Sequence, residues 1–159
     1  MRYSVSSDRN FGPHGVTVGP IASTLVGALG PAERAGTNSP PRILIVEDDY
    51  FVALDLEHRL LEAGYAVVGV ATSADEAFDL AAAEKPVLAL MDIRIAGALD
   101  GVETAIELQK SFGIPSIFTT AHGDEATRKR AEEAQPRGWL LKPYSWAALI
   151  EAVRSALSN

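Results

Sequence analysis

Pro86-Val87-Leu88-Ala89-Leu90-Met91-Asp92 runs from a proline through five apolar residues to a carboxylate without interruption. A short apolar run after a turn signal, with no polar residue alternating through it, is the pattern of a strand covered on both faces, as in a parallel sheet. Asp92 then stands at the carboxyl end of that strand, on the edge of an open α/β sheet where loops diverge and ligands bind. A strand-end Asp also serves as a turn former or helix cap, so its meaning depends on what the rest of the chain brings to the same edge.

Strand and helix patterns alternate on both sides of this run. Upstream, Ile43 to Val46 reads as a first buried strand with Glu47, Asp48 and Asp49 at its tip. Val52, Ala53, Leu56, Leu60 and Ala63 then recur at helical steps, and Gly64 is placed to stop that helix. Tyr65 to Ala71 supplies a second strand. Thr72 or Ser73 can cap a helix carrying Ala77, Phe78 and Ala81 inward until Lys85-Pro86 ends it.

Downstream, a glycine-containing loop from Ile93 to Gly101 leads to a helix presenting Val102, Ala105, Ile106 and Gln109, closed by Gly113. Ile114 to Thr119 is a fourth strand, followed by Thr120. The next helix, Glu125 to Ala134, has only alanines for an apolar face, so it is expected to be the most loosely held. Trp139 to Leu141 is a fifth strand ending in Lys142-Pro143, and Ser145 caps a last helix with Leu149, Ile150, Val153 and Leu157 inward. Five strands and five helices joined by short loops predict an α/β fold: a doubly wound five-stranded parallel sheet in the flavodoxin-like order 2-1-3-4-5, with helices on both faces.

Residues 1 to 40 differ in texture. They hold six glycines and four prolines with no sustained periodicity, which reads as a disordered or weakly docked extension preceding a domain over residues 41 to 159. The uncharged stretch Val16 to Gly30 is short for a membrane span and is broken by Gly and Pro20, so a linker is the simpler account. A net charge of −7 argues against nucleic-acid and anionic-membrane partners. The chain has no cysteine, which excludes disulfides, thiolate metal sites and a cysteine nucleophile and suits the cytoplasm; three scattered histidines make no metal cage.

The predicted sheet brings Glu47 and Asp48, Asp92, Thr120 and Lys142 to one edge from four strands. Three carboxylates in one pocket repel one another unless a cation compensates them. An all-oxygen set with few protein ligands suits a hard divalent ion, magnesium above others. The lysine and hydroxyl complete a set able to stabilise a phosphoryl group in transfer.

The fragments Ile43 to Asp49, Leu90-Met91-Asp92-Ile93-Arg94, Asp100-Gly101, Phe118-Thr119-Thr120-Ala121 and Leu140-Leu141-Lys142-Pro143-Tyr144 together resemble the receiver domain of bacterial two-component response regulators, over about residues 41 to 159. The resemblance implies that Asp92 is the phosphoacceptor. Glu47, Asp48 and Asp92, with the main-chain carbonyl of Arg94, would hold Mg2+. Thr120 and Lys142 would bind phosphoryl oxygens, Lys142-Pro143 would be cis, and Trp139 would change rotamer with Thr120 as a switch. A histidine kinase or histidine phosphotransfer protein would be the donor and an unknown protein the reader, with the chain a monomer or a phosphorylation-dependent dimer. It would be no enzyme beyond catalysing its own phosphorylation and dephosphorylation. Because the chain ends with the fifth helix, a stand-alone receiver without an output domain is expected.

Plainer roles stay open for each residue. Glu47 and Asp48 suit a helix start, Thr120 a helix cap, Lys142 a solvated surface and Trp139 the core or a partner-facing anchor. Two departures from the family pattern stand in the loop after Asp92: Ala96 occupies the usual proline position, and the loop is one residue longer. His122 is read as exposed-loop material rather than a phosphoryl carrier. A haloacid-dehalogenase-like phosphatase would need a second Asp where Arg94 stands, and a phosphorylation-independent interaction module would need no complete pocket.

Overall fold

The computed structural model describes residues 39–121 and 123–158; the expectations for residues 1 to 38 and for His122 lie outside them. The elements are β1 (Arg42–Val46), α1 (Tyr50–Glu62), β2 (Ala66–Ala71), α2 (Ala74–Glu84), β3 (Leu88–Asp92), α3 (Gly101–Glu107), β4 (Ser116–Thr120), α4 (Glu125–Ala131), β5 (Gly138–Leu141) and α5 (Trp146–Ser158). The strands form one parallel sheet in the order β2-β1-β3-β4-β5, as expected.

Side chains alternate across a strand, so a strand covered on both sides must be apolar at every position. In β1 and β3, Ile43, Ile45, Leu88 and Leu90 face the core shared with α1 and α5, where Leu56, Leu60, Leu149 and Val153 meet them. Leu44, Val46, Ala89 and Met91 face the opposite core, with Ala77 and Ala81 of α2, Val102 and Ala105 of α3, and Ala131 of α4. The apolar run that introduces Asp92 therefore begins one residue later than its composition suggests. Val87 is 48% exposed and outside β3, its N–H donating to the Arg42 carbonyl at 2.8 Å.

The helix ends follow local chemistry. Asp49 caps α1, accepting from the N–H groups of Phe51 and Val52 at 2.9 and 3.1 Å. At its other end Gly64 takes φ +86°, and the N–H groups of Gly64 and Tyr65 donate back to Leu61 and Leu60, closing the helix as a Schellman turn. Ala63 is the exposed C-cap rather than a core residue. Ser73 caps α2, and Ser145 Oγ accepts from the N–H of Ala148 at the start of α5.

Two helices depart from the even periodicity expected. α3 gives way to a π-helical turn over Leu108–Phe112 before Gly113, which shifts the buried face: Thr104 and Leu108 are buried, while Ile106 and Gln109 are half-buried. α4 ends at Ala131 and tightens into a 3-10 turn over Glu132–Ala134. Ala131 is the buried residue of α4, in keeping with a weak apolar hold.

Candidate functional site

Strand register gathers the chemistry. Val46 pairs with Met91, Asp92 with Thr119, and Thr120 with Leu141, so Glu47, Asp92, Thr120 and Lys142 reach the carboxyl edge almost level with one another. Lys142 Nζ donates to Glu47 Oε2 at 2.8 Å and to Asp92 Oδ2 at 2.9 Å. Glu47, Asp48 and Asp92 each offer a carboxylate oxygen, and these lie within 4.8 Å of one another. Asp48 is exposed, Glu47 is 2% exposed, and the Asp92 side chain is 12% exposed.

Burial pushes the Glu47 carboxyl above its ordinary value; the Lys142 hydrogen bond opposes this and the Asp92 charge adds to it. Burial alone would lower the Lys142 ammonium, but its bonds to Glu47 and Asp92 outweigh that and raise it. One ammonium thus faces three carboxylates. The uncompensated negative charge, the all-oxygen donor set and the solvent-facing Asp48 fit a hard divalent cation that retains water ligands.

Arg94 is exposed, and its N–H approaches Asp92 Oδ1 at 3.3 Å. Thr120 is 5% exposed at the end of β4, and its carbonyl accepts the Lys142 N–H at 2.7 Å. Lys142-Pro143 is cis. Trp139 is half-buried; its ring stacks on Phe118 at 4.6 Å with the Arg128 guanidinium 4.8 Å from the ring centroid. It sits against β4 and α4 rather than beside the carboxylates.

Two contributors carry weak sequence signals. Gly101 packs so tightly against Asp92 that a Cβ there would lie 1.8 Å from the Asp92 carbonyl oxygen, and its N–H donates to the Ile93 carbonyl at 2.8 Å. The Asp-Gly pair marks it, but reads equally as an ordinary turn. Tyr144 lines a groove of about 390 Å³ with Phe51, Val52, Asp55, Lys142 and Pro143, and burial raises its phenol above the ordinary value. Nothing in the residues around Tyr144 announces that placement.

A family model described as the response regulator receiver domain matches residues 43–154. The transcriptional regulatory protein PdtaR of Mycobacterium tuberculosis is 36% identical over 130 residues, covering 82% of this chain and 63% of PdtaR. The phyllosphere-induced regulator PhyR of Methylorubrum extorquens is 34% identical over 116 residues, 72% of this chain and 43% of PhyR. The chain thus spans less than two thirds of the length of these curated relatives. Among solved structures, the signal receiver domain of a modulated diguanylate cyclase from Desulfovibrio desulfuricans superposes with a TM-score of 0.70 at 39% identity, covering 75% of this chain and 94% of that one. A CheY-like receiver domain protein from Methanospirillum hungatei gives a TM-score of 0.70 at 27% identity, covering 76% and 95%.

Proposed function

Since the chain belongs to the response regulator receiver domain family of two-component signalling, we propose that it is a phosphoryl-accepting switch with Asp92 as acceptor. The observation that carries this reading is the Lys142 ammonium bridging Glu47 and Asp92 inside a three-carboxylate cup. The donor is a phosphohistidine on a histidine kinase or phosphotransfer protein. The N–P bond breaks as an Asp92 carboxylate oxygen forms the new O–P bond, and the imidazole leaves.

Glu47, Asp48 and Asp92, with the main chain of Arg94, are the residues to hold Mg2+, whose chemistry is to neutralise the transferring oxygens. Lys142 pairs with one phosphoryl oxygen and the Thr120 hydroxyl with another, so transfer draws both toward Asp92. The groove beside Lys142 and the exposed Tyr50 and Phe51 on α1, 70% and 78% accessible, offer the donor an apolar footing next to the acceptor. Movement of Thr120, with Trp139 following, biases α4 toward a second arrangement that a protein partner reads. The chain acts in the cytoplasm and catalyses nothing beyond its own phosphorylation and dephosphorylation. Among the described residues no helix is long and apolar enough to cross a membrane.

Incubation with Mg2+ and acetyl phosphate followed by intact mass tests the reading. Gain of one phosphate by the wild-type chain and none by Asp92→Ala is the expected result. No gain, or equal gain by the variant, favours an interaction module that works without phosphorylation.

A further inference from the structure

α4 buries one side chain, and two of its cations reach neighbouring elements. Against the single buried methyl of Ala131, two arginines reach out of the helix to different neighbours. Arg130 Nη2 donates to Asp100 Oδ2 at 2.6 Å, and the Arg128 guanidinium covers the Trp139 ring. Trp139 in turn stacks on Phe118, two residues before Thr120 in β4.

Asp100 is the end of the segment that begins at the acceptor. Its Oδ1 accepts from the N–H groups of Val102 and Glu103 at 2.9 and 3.0 Å, capping α3, which leaves Oδ2 for Arg130. The Glu103 side chain closes the capping box on the Asp100 N–H. The next residue, Gly101, is wedged against the Asp92 carbonyl. The main chain at Asp100 is therefore tied through Gly101 to that of Asp92, and the backbone of Arg130 moves with α4.

We propose that the Arg130–Asp100 ion pair is a clasp that ties α4 to the phosphoacceptor segment and favours the clasped arrangement over the activated one. The inference rests on the phosphoacceptor reading and adds its regulation. Displacement of α4 stretches the pair because its two ends belong to different elements, one anchored at Asp92 and the other on a helix whose one buried side chain is Ala131. With side chains 51% and 34% exposed, the pair contributes little to folding, but a two-state switch needs only a small bias.

The test titrates the full chain with beryllofluoride in excess Mg2+, read by calorimetry, with hydrogen exchange at residues 125–131 as a second measurement. Asp100→Asn keeps a capping oxygen for α3 and removes the charge; Arg130→Ala removes the other partner. Each is expected to lower the half-saturating beryllofluoride concentration about two- to fivefold, the range an exposed ion pair supplies. Each is also expected to speed exchange in α4, and the double variant should go no further than either single one. Wild-type affinity in both single variants, or additive effects in the double, overturns the clasp while leaving the switch standing. A wild-type chain that takes up no beryllofluoride overturns both.

Discussion

Replacing Lys142 by Ala tests the charge balance of the cup directly. The ammonium lies 2.8 Å from Glu47 and 2.9 Å from Asp92, with 24% of its side chain exposed and the two carboxylates at 2% and 12%. Removing one partner from a buried pair costs about 3–5 kcal/mol, because the other charge is left without compensation. Water reaches Asp92 and the lysine head and recovers part of this, so about 2–3 kcal/mol is expected. For a domain of this size that lowers Tm by roughly 6–12 °C, measured by scanning fluorimetry in chelator.

Magnesium should then act oppositely on binding and on chemistry. Without the ammonium, the same carboxylates meet a divalent ion with less repulsion, so Mg2+ should bind about tenfold more tightly, equivalent to ~1.4 kcal/mol. The Tm gain on adding Mg2+ should exceed that of the wild type, because ligand stabilisation grows with affinity. Phosphorylation by acetyl phosphate should nevertheless be lost with the group that pairs the phosphoryl oxygen. A variant melting within a degree of the wild type, with unchanged Mg2+ affinity, would refute the view that Lys142 compensates these carboxylates.

Glu47→Gln separates stability from function. Because the folded-state value of Glu47 is raised, its favourable contribution is full below the ordinary value of 4.5 and is lost as pH rises through the folded value. In chelator, the variant should therefore gain stability relative to wild type as pH climbs from acid toward neutral, while its response to Mg2+ disappears; a pH-independent difference in denaturant midpoints contradicts a raised Glu47. Gly101→Ala forces a methyl to 1.8 Å from the Asp92 carbonyl oxygen, which only backbone movement can relieve. Urea denaturation should show a loss of about 2–3 kcal/mol, with phosphorylation impaired in whatever folds, and a variant as stable as wild type would show the segment to be compliant.

The sheet was legible because Ile43 to Val46 in β1 and Leu88 to Met91 in β3 are apolar without a break, as a strand sandwiched between two helical layers requires; the order of acids, Thr120 and Lys142 then followed from where each strand ends. Local punctuation was equally readable at Gly64, Ser73 and Ser145, where cap chemistry depends on neighbours in the chain. Contacts across the fold were not. Arg130 meeting Asp100, or Trp139 stacking on Phe118 beneath Arg128, depends on how helices are rotated on the sheet, and no spacing along the chain encodes that. The π turn after α3 escaped for a related reason, since one residue of slippage leaves the apolar count of the helix unchanged while moving its buried face.

The loop after Asp92 shows how a departure from a family pattern can be met by a different device. A proline at position 96 would stiffen the loop by fixing φ and would bring no N–H. Ala96 has that N–H and uses it, donating to the Thr72 carbonyl at 3.1 Å, while Ser73 and Ala96 form an isolated parallel bridge. Thr72 is itself held, its N–H and hydroxyl donating to Glu76 at 2.7 and 2.9 Å, which keeps the Glu76 carboxyl below its ordinary range. Gly97, at φ +110°, holds the backbone in a conformation that residues with a side chain rarely adopt. The first turn of α2 thus imposes the order that a proline would impose through its ring. The loop leading from Asp92 to Asp100 is therefore braced at Thr72 as well as at Gly101, and a perturbation of the α2 N-terminus has a path of hydrogen bonds to the segment that carries Asp92.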